Sequence, residues 1–185
     1  MRVTLRSHLP IAVLATLCIV LPCTGASSKP SAKQKSSAVR VENQLYGTTK
    51  GKSPSGVDTE YYFLKATIKA GSAGAFSFRQ GSCLLFDAGG KSNSECWISV
   101  TGGSAGLSFT TSAPVSTNTF TTAPSHGAPT TRLNASKVDG PTGELAFSLP
   151  ANGFVDFHFL WPVSQGFKPG KIRLVGITEI NLKKR

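Results

Sequence analysis

The chain is short of acidic residues, histidine and methionine, and each shortage narrows the chemistry open to it. Its 185 residues include nine Asp and Glu, three His and one methionine, Met1. The few acids are scattered, so the sequence shows no carboxylate pair of the kind that glycosidases use. The one methionine, Met1, lies in an N-terminal segment that we expect to be removed, so thioether copper ligation is excluded in the mature chain. We therefore expect no metal and no cofactor.

Cysteine is also scarce, and its spacing argues against redox and zinc chemistry. The four cysteines include no Cys-x-x-Cys pair, the arrangement found in disulfide oxidoreductases. Cys83 and Cys96 lie far from the later histidines and lack the spacing of a zinc module. They flank a turn-rich segment, residues 87–94, and in an oxidising compartment such an even pair predicts a disulfide that clamps a β-hairpin. The alternative is two free, buried thiols.

The first 26 residues have the pattern of a cleavable secretory signal. Arg2 and Arg6 precede an apolar run over residues 9–21, and the small residues that end at Ala26 are typical of a signal-peptidase cleavage site. As a helix the run reaches about 20 Å, short of a bilayer core of about 30 Å, so we do not expect a transmembrane anchor. We expect cleavage after Ala26, which removes the methionine and two cysteines. The mature chain is then exported to the periplasm or the extracellular space.

Positive charge is concentrated at the two ends of the expected mature chain. The whole sequence carries a formal net charge of +11. Residues 27–52 and residues 168–185 each hold six basic residues against one acidic residue, and the stretch between them is nearly neutral. Basic ends favour binding to an anionic surface such as envelope lipid or acidic glycan. The candidate contact residues are Lys183, Lys184 and Arg185. The alternative is that they keep a neutral body soluble. Export argues against nucleic acid as a partner.

Alternation of apolar and polar residues begins at residue 39. Before it, residues 27–38 lack large apolar side chains and are expected to form a flexible basic leader, with residues 39–185 as a single domain. The clearest strand covers residues 60–69. About nine such short strands, with turn signals between them and no helical periodicity, predict an all-β antiparallel sandwich. The Thr-rich residues 110–131 are expected to be a long loop or a weak edge strand.

Two segments carry a family resemblance: Tyr-Tyr-Phe-Leu-Lys-Ala-Thr-Ile at residues 61–68, and Gly-Glu-Leu-Ala-Phe-Ser-Leu-Pro at residues 143–150, before a later aromatic strand. On these segments, the stretch from Glu60 to Leu182 resembles the immunoglobulin-like sandwiches of exported bacterial proteins, including telokin-like domains of unassigned function. The resemblance implies an immunoglobulin-like β-sandwich and an extracytoplasmic setting, and it implies no catalytic residues. The chain lacks the inter-sheet cysteine-tryptophan-cysteine spacing of antibody domains, because Cys83 and Cys96 are too close.

One short motif and one histidine suggest catalysis. Residues 102–106, Gly-Gly-Ser-Ala-Gly, fit the G-x-S-x-G nucleophile elbow of serine hydrolases, with Ser104 as nucleophile and His158 further along the chain. That elbow needs a following helix, whereas residues 107–111 read as a strand, so we interpret the match as chance. His158 lies two residues from Asp156 and is expected to be a solvated or hydrogen-bonded surface residue. Proton transfer and a pH switch are the alternatives.

The aromatic residues favour a binding function. Tyr61 and Phe63 share the more polar face of their strand, so we expect an exposed partner-binding patch there, whereas Trp97 and Trp161 are expected in the core. The sequence favours a non-enzymatic binding or structural module of the cell envelope or secreted space that recognises a protein or glycan. The alternatives are a small secreted serine hydrolase and an inhibitor or immunity-type protein that acts through residues 112–130.

Overall fold

The computed structural model describes residues 39–123 and 131–182, and over these ranges the chain forms strands and no helix. Every pairing between the described strands is antiparallel, as short connections predict. The prediction of an all-β, antiparallel fold is confirmed. The described strands are β1 (Val39–Lys52), β2 (Asp58–Ala70), β3 (Gly74–Arg79), β4 (Cys83–Asp87), β5 (Ser92–Asn93), β6 (Trp97–Gly103), β7 (Ser108–Ser112), β8 (Val115–Ala123), β9 (Thr131–Val138), β10 (Glu144–Leu149), β11 (Phe154–Val163), β12 (Pro169–Leu174) and β13 (Thr178–Asn181).

Thirteen strands are described, so the expectation of about nine is wrong. Strands β5, β8 and β9 are short or rich in Thr, Ser and Asn, which leaves their apolar alternation weak. Residues 171–182, whose alternation predicts one last strand, are divided into β12 and β13 by a turn in which Gly176 has a φ of 76°, a conformation that glycine adopts without strain. The Thr-rich stretch contains β8, which is a member of a closed barrel and not an edge.

Six strands form a closed barrel in the order β1-β2-β11-β6-β9-β8. The β8–β9 hairpin completes the ring, because it meets β6 at Ile98 and Ser136 and meets β1 at Lys50 and Gly51. Two smaller sheets, in the orders β3-β10-β7 and β13-β12-β4-β5, complete the described fold. All of these strands belong to one compact unit.

The main core joins one face of β2, β6 and β11 to the two smaller sheets. Alternate residues of β2 and β11 point into it, which is the pattern that their sequences predict. Phe78 is fully buried there, and its ring meets Phe147, Phe157 and Phe159 edge-on at centroid distances of 5.8, 5.4 and 5.6 Å. Edge-to-face packing is favourable for aromatic rings. Trp161 is also in this cluster, as expected.

A second cluster, the barrel core, covers the other face of the same strands. Its buried members are Tyr61, Trp97, Phe120, Leu133, Ala135 and Leu160, all from barrel strands. Strands β2 and β11 are therefore buried on both faces where they carry residues of the two clusters. The described residues contain no helix that is long and apolar enough to cross a membrane.

Candidate functional site

A cleft of about 770 Å³ lies where β1, β2, β8 and β11 meet at one end of the barrel. Its volume is within the range of about 300–1,000 Å³ that is typical of small-ligand sites. All four strands contribute to its wall, and the segment after β11 adds an amide side chain. The charged and hydrogen-bonding residues of the lining are Lys50, Lys52, Asp58, Thr59, Glu60, Thr121 and Gln165.

The charges of the cleft are placed by the register of the β1–β2 hairpin. Lys50 pairs across the strands with Glu60, and Lys52 pairs with Asp58. The Lys52 ammonium lies 3.0 Å from the Asp58 carboxylate, but both side chains are largely exposed, so this ion pair adds little stability. Two cations and two anions leave the lining without net charge. The cleft therefore offers donors and acceptors without selecting an ion of either sign.

Gly51 brings β1 close to β8 beside the cleft. A Cβ at this position would lie 3.2 Å from the backbone oxygen of Thr121, so a larger residue would push β8 away by a few tenths of an ångström, whereas its 3.5 Å distance to the Tyr61 ring is an ordinary contact. Burial raises the pKa of Tyr61, and a hydrogen bond with Thr59 partly offsets this. The phenol therefore stays neutral and is a hydrogen-bonding group, not a base.

The polar lining consists of two lysines, two carboxylates, two threonines and one glutamine. Its described residues include neither histidine nor cysteine, so no nucleophile stands beside an imidazole base. No group of three or more potential metal ligands occurs among the residues that the structure describes. Ammonium, carboxylate, hydroxyl and amide groups on fixed strands are suited to hydrogen bonding with a neutral polar ligand.

The expected surface patch of Tyr61 and Phe63 is largely covered. Tyr61 is 1% exposed, and its ring packs edge-on against Phe120 with centroids 5.5 Å apart. Phe63 is partly buried against the same barrel core. The prediction of exposure is wrong for Tyr61, because the β8–β9 hairpin packs over this face of β2. That contact joins segments that are distant in the sequence, so the alternation of residues within β2 does not predict it.

His158 is buried, so the expectation of a solvated or hydrogen-bonded surface residue is wrong. It is 4% exposed, lies against Phe63 with ring centroids 5.6 Å apart, and its Nε2 lacks a hydrogen-bond partner among the described residues. Burial lowers the pKa of His158 to about 4, and the charge of Lys65 on β2 acts in the same direction. The Asp156 carboxylate accepts a hydrogen bond from the Thr67 hydroxyl at 2.6 Å.

Ser104 is hydrogen-bonded to the backbone of β11. Its hydroxyl accepts a hydrogen bond from the Phe154 amide at 3.0 Å and donates one to the Phe154 carbonyl oxygen at 3.2 Å. After residues 102–106 the chain enters strand β7, as the sequence indicated, and not the helix that a nucleophile elbow requires. The Ser104 hydroxyl thus links the segment after β6 to the first residue of β11 through two hydrogen bonds.

Cys83 and Cys96 are buried near each other as free thiols. Burial raises the pKa of Cys96 well above its ordinary value, and a hydrogen bond with Cys83 raises it further. Cys83 begins β4 in the four-stranded sheet, whereas Cys96 immediately precedes β6 of the barrel. A bond between them would join two sheets as well as close the β4–β5 hairpin. The disulfide stays a prediction.

Several expected features lie outside the described residues. They are the signal and leader, residues 1–38, the part of the Thr-rich stretch that contains His126, and the basic end formed by Lys183, Lys184 and Arg185. Their predicted roles stay predictions.

The described part of the C-terminal basic region forms an aromatic and basic surface on β4 and β12. The cationic groups of Lys171 and Arg173 lie 5.0 and 5.4 Å from the centre of the Phe86 ring. Both also donate hydrogen bonds to the carboxylate of Glu179, and these lower its pKa, that from Arg173 more than that from Lys171. The surface keeps one net positive charge from these three ionic side chains.

Sequence reasoning missed the cleft itself. Its lining combines residues as distant as Lys50 and Gln165, and only the tertiary fold brings them together. The one local signal is the Gly-, Ser- and Lys-rich stretch 47–56 beside the clearest strand, which marks a hairpin end with charged neighbours.

Comparison with known proteins assigns no family to the chain. No protein-family model matches the sequence, and no significant match is found among curated proteins or solved structures. The geometry of the cleft is therefore the basis on which a function can be proposed.

Proposed function

We propose that this protein is an exported, non-enzymatic binding module that recognises a glycan or a peptide segment in the cleft. The observation that carries the proposal is a lining without net charge that still supplies ammonium, carboxylate, hydroxyl and amide groups. Sugars and peptide backbones present donors and acceptors side by side, so they match such a lining better than a phosphate or a metal ion does.

The rigidity of the walls supports the same function. Strands β1 and β2 pair over nearly their whole lengths, and β11 pairs with β2 from Phe154 to Val163. Because strand pairing fixes the backbone of these walls, a ligand does not have to order the main chain when it binds, which favours affinity.

Titration calorimetry with neutral oligosaccharides and with extended peptides tests the proposal. Glu60→Gln removes one of the two carboxylate acceptors of the cleft, and we expect affinity to fall about tenfold or more, because hydrogen bonds to charged groups contribute about 1.5–3 kcal/mol. Glu179→Gln changes a carboxylate on the four-stranded sheet, away from the cleft, and should bind like the wild type. Equal affinity of Glu60→Gln and wild type for every ligand would contradict the assignment of the site. Failure of both ligand classes to bind would contradict the function.

We also propose that the protein is exported and that its fold is an immunoglobulin-like sandwich. Export is supported by the signal pattern of residues 1–26. The sandwich is supported by the main core, which joins β2 and β11 to the two smaller sheets as facing layers would. N-terminal sequencing of the secreted protein should begin at Ser27, and an intact N-terminus would argue against the signal.

An anionic surface is a second candidate partner, through the basic ends. The Phe86, Lys171 and Arg173 surface favours it, because it is positively charged and precedes the C-terminal basic residues in the sequence. Such contact would hold the module near an envelope while the cleft binds its own ligand.

A further inference from the structure

Strand β7 is an exposed and unprotected sheet edge. All five of its residues are exposed, and among the described strands it pairs with β10 alone. Its sequence, Ser-Phe-Thr-Thr-Ser, contains no charge and no proline, the devices that usually prevent an edge strand from pairing with another chain. The opposite edge of the same sheet, β3, ends in Arg79, and the edge strand β13 carries Glu179.

Phe109 shows that this edge leaves apolar surface uncovered. Its ring stacks on Phe147 at a centroid distance of 4.9 Å, yet 46% of the residue is exposed. Thr111 pairs with the buried Leu145 in the same register, so Phe109 and Thr111 share the face that turns toward the main core. A strand added beside β7 would cover the open side of the Phe109 ring.

The sequence of β7 is close to self-complementary in an antiparallel pairing. If a two-fold axis passes through Thr110, Ser108 of one copy faces Ser112 of the other, Phe109 faces Thr111, and Thr110 faces its own equivalent. Aromatic–β-branched and Thr–Thr pairs are favourable across strands. The chain carries a net charge of +11, which opposes association, but this pairing places no two charged side chains opposite each other.

We propose that two copies of this chain associate through antiparallel pairing of their β7 strands, which joins two three-stranded sheets into one of six strands. The symmetric pairing closes on itself and gives a dimer, not a filament. A five-residue edge buries a small area, so the dimer is weak and forms at high local concentration. Pairing at this edge leaves the cleft, which lies on the barrel strands, open for its ligand.

Sedimentation equilibrium between about 10 μM and 1 mM protein, a range suited to a small interface, tests the dimer. Thr110→Lys places two ammonium groups opposite each other at the two-fold axis and should raise the dimer dissociation constant about fivefold or more. Thr110→Asp should do the same with two carboxylates. An equimolar mixture of the two variants should recover association, because a lysine then faces an aspartate. The position is exposed, and circular dichroism should show that both variants keep the fold.

Ala75→Lys is the matched control. Ala75 is exposed on β3, the other edge of the same sheet. Its substitution by lysine adds the same charge as Thr110→Lys at a position outside the proposed contact. It should dimerise like the wild type. A wild-type chain that stays monomeric throughout the concentration range, a mixture that fails to recover association, or an equal loss with Ala75→Lys would each overturn the proposal. These outcomes are independent of ligand binding in the cleft, so they leave the proposed function untouched.

Discussion

His158 has a charge state that is set by its neighbours and not by its own strand. The apolar ring of Phe63 lies against it, and Lys65 faces it across the β2–β11 pairing. Protonation would place a positive charge in a water-poor site beside another positive charge, which explains why its pKa falls to about 4. The nearest carboxylate along its own strand, Asp156, is hydrogen-bonded to Thr67.

The shifted pKa makes stability depend on pH. Since the unfolded chain takes up a proton near the ordinary pKa of 6.5 and the folded chain only near 4, acid favours unfolding in this interval. We expect the free energy of unfolding to fall by about 2 kcal/mol between pH 7 and pH 5 on account of His158. Urea unfolding of His158→Gln, which cannot titrate, should lack this component. An identical pH dependence in both proteins would show that His158 does not cause it.

At the scale of elements, Cys83 and Cys96 lie where the four-stranded sheet meets the barrel. Cys83 is the first residue of β4, and its carbonyl oxygen accepts a hydrogen bond from the Trp161 indole of β11 at 3.3 Å. Cys96 leads directly into β6, and β6 pairs with β11. A covalent bond between the two thiols would reinforce a junction that already depends on packing and this hydrogen bond.

We therefore expect oxidation of the protein to produce one disulfide that stabilises this junction. Alkylation of the denatured, unreduced protein should leave Cys83 and Cys96 unmodified, and prior reduction should make both reactive. Reduction should lower the free energy of unfolding by about 3 kcal/mol, as expected for a loop of this length. A Cys83→Ala/Cys96→Ala double variant serves as control and should not respond to reductant. Alkylation of both residues without reductant would contradict the prediction.

At the scale of the whole molecule, the described basic residues of the C-terminal region, Lys168, Lys171 and Arg173, are not in the cleft lining, whereas Lys50 and Lys52 of the N-terminal basic region are. The body between residues 53 and 167 is nearly neutral, whereas both sequence ends are basic. The cleft lining is itself neutral. Attraction of the C-terminal basic region to an anionic surface and recognition of a neutral ligand in the cleft would then use different parts of the protein and respond differently to salt.

Salt should weaken binding to anionic lipid vesicles. Raising the ionic strength from 0.01 M to 0.15 M shortens the screening length from about 30 Å to about 8 Å, so we expect partitioning to fall about tenfold or more. A chain that ends at Leu182 should bind less than the full chain at low salt, and vesicles of zwitterionic lipid should bind neither. Salt-independent partitioning, measured by co-sedimentation, would dismiss a role for the basic ends.

The sequence by itself determined which local segments become strands and which of their residues enter the main core. In β2 and β11 the alternation that places Leu64, Phe157 and Phe159 inward is a property of consecutive residues, because side chains of a strand point to opposite faces in turn. Weakly patterned strands such as β9 escaped prediction, because two apolar residues that alternate among polar ones carry little signal.

Only the tertiary structure decided what covers the second face of those strands. The β8–β9 hairpin buries Tyr61 and meets β6 and β1 from a distant part of the sequence. The same closure gathers Lys50, Glu60 and Gln165 around one cleft. These contacts depend on how segments far apart in the chain are brought together. Local alternation reports only that a face can be buried, and not which part of the chain will bury it.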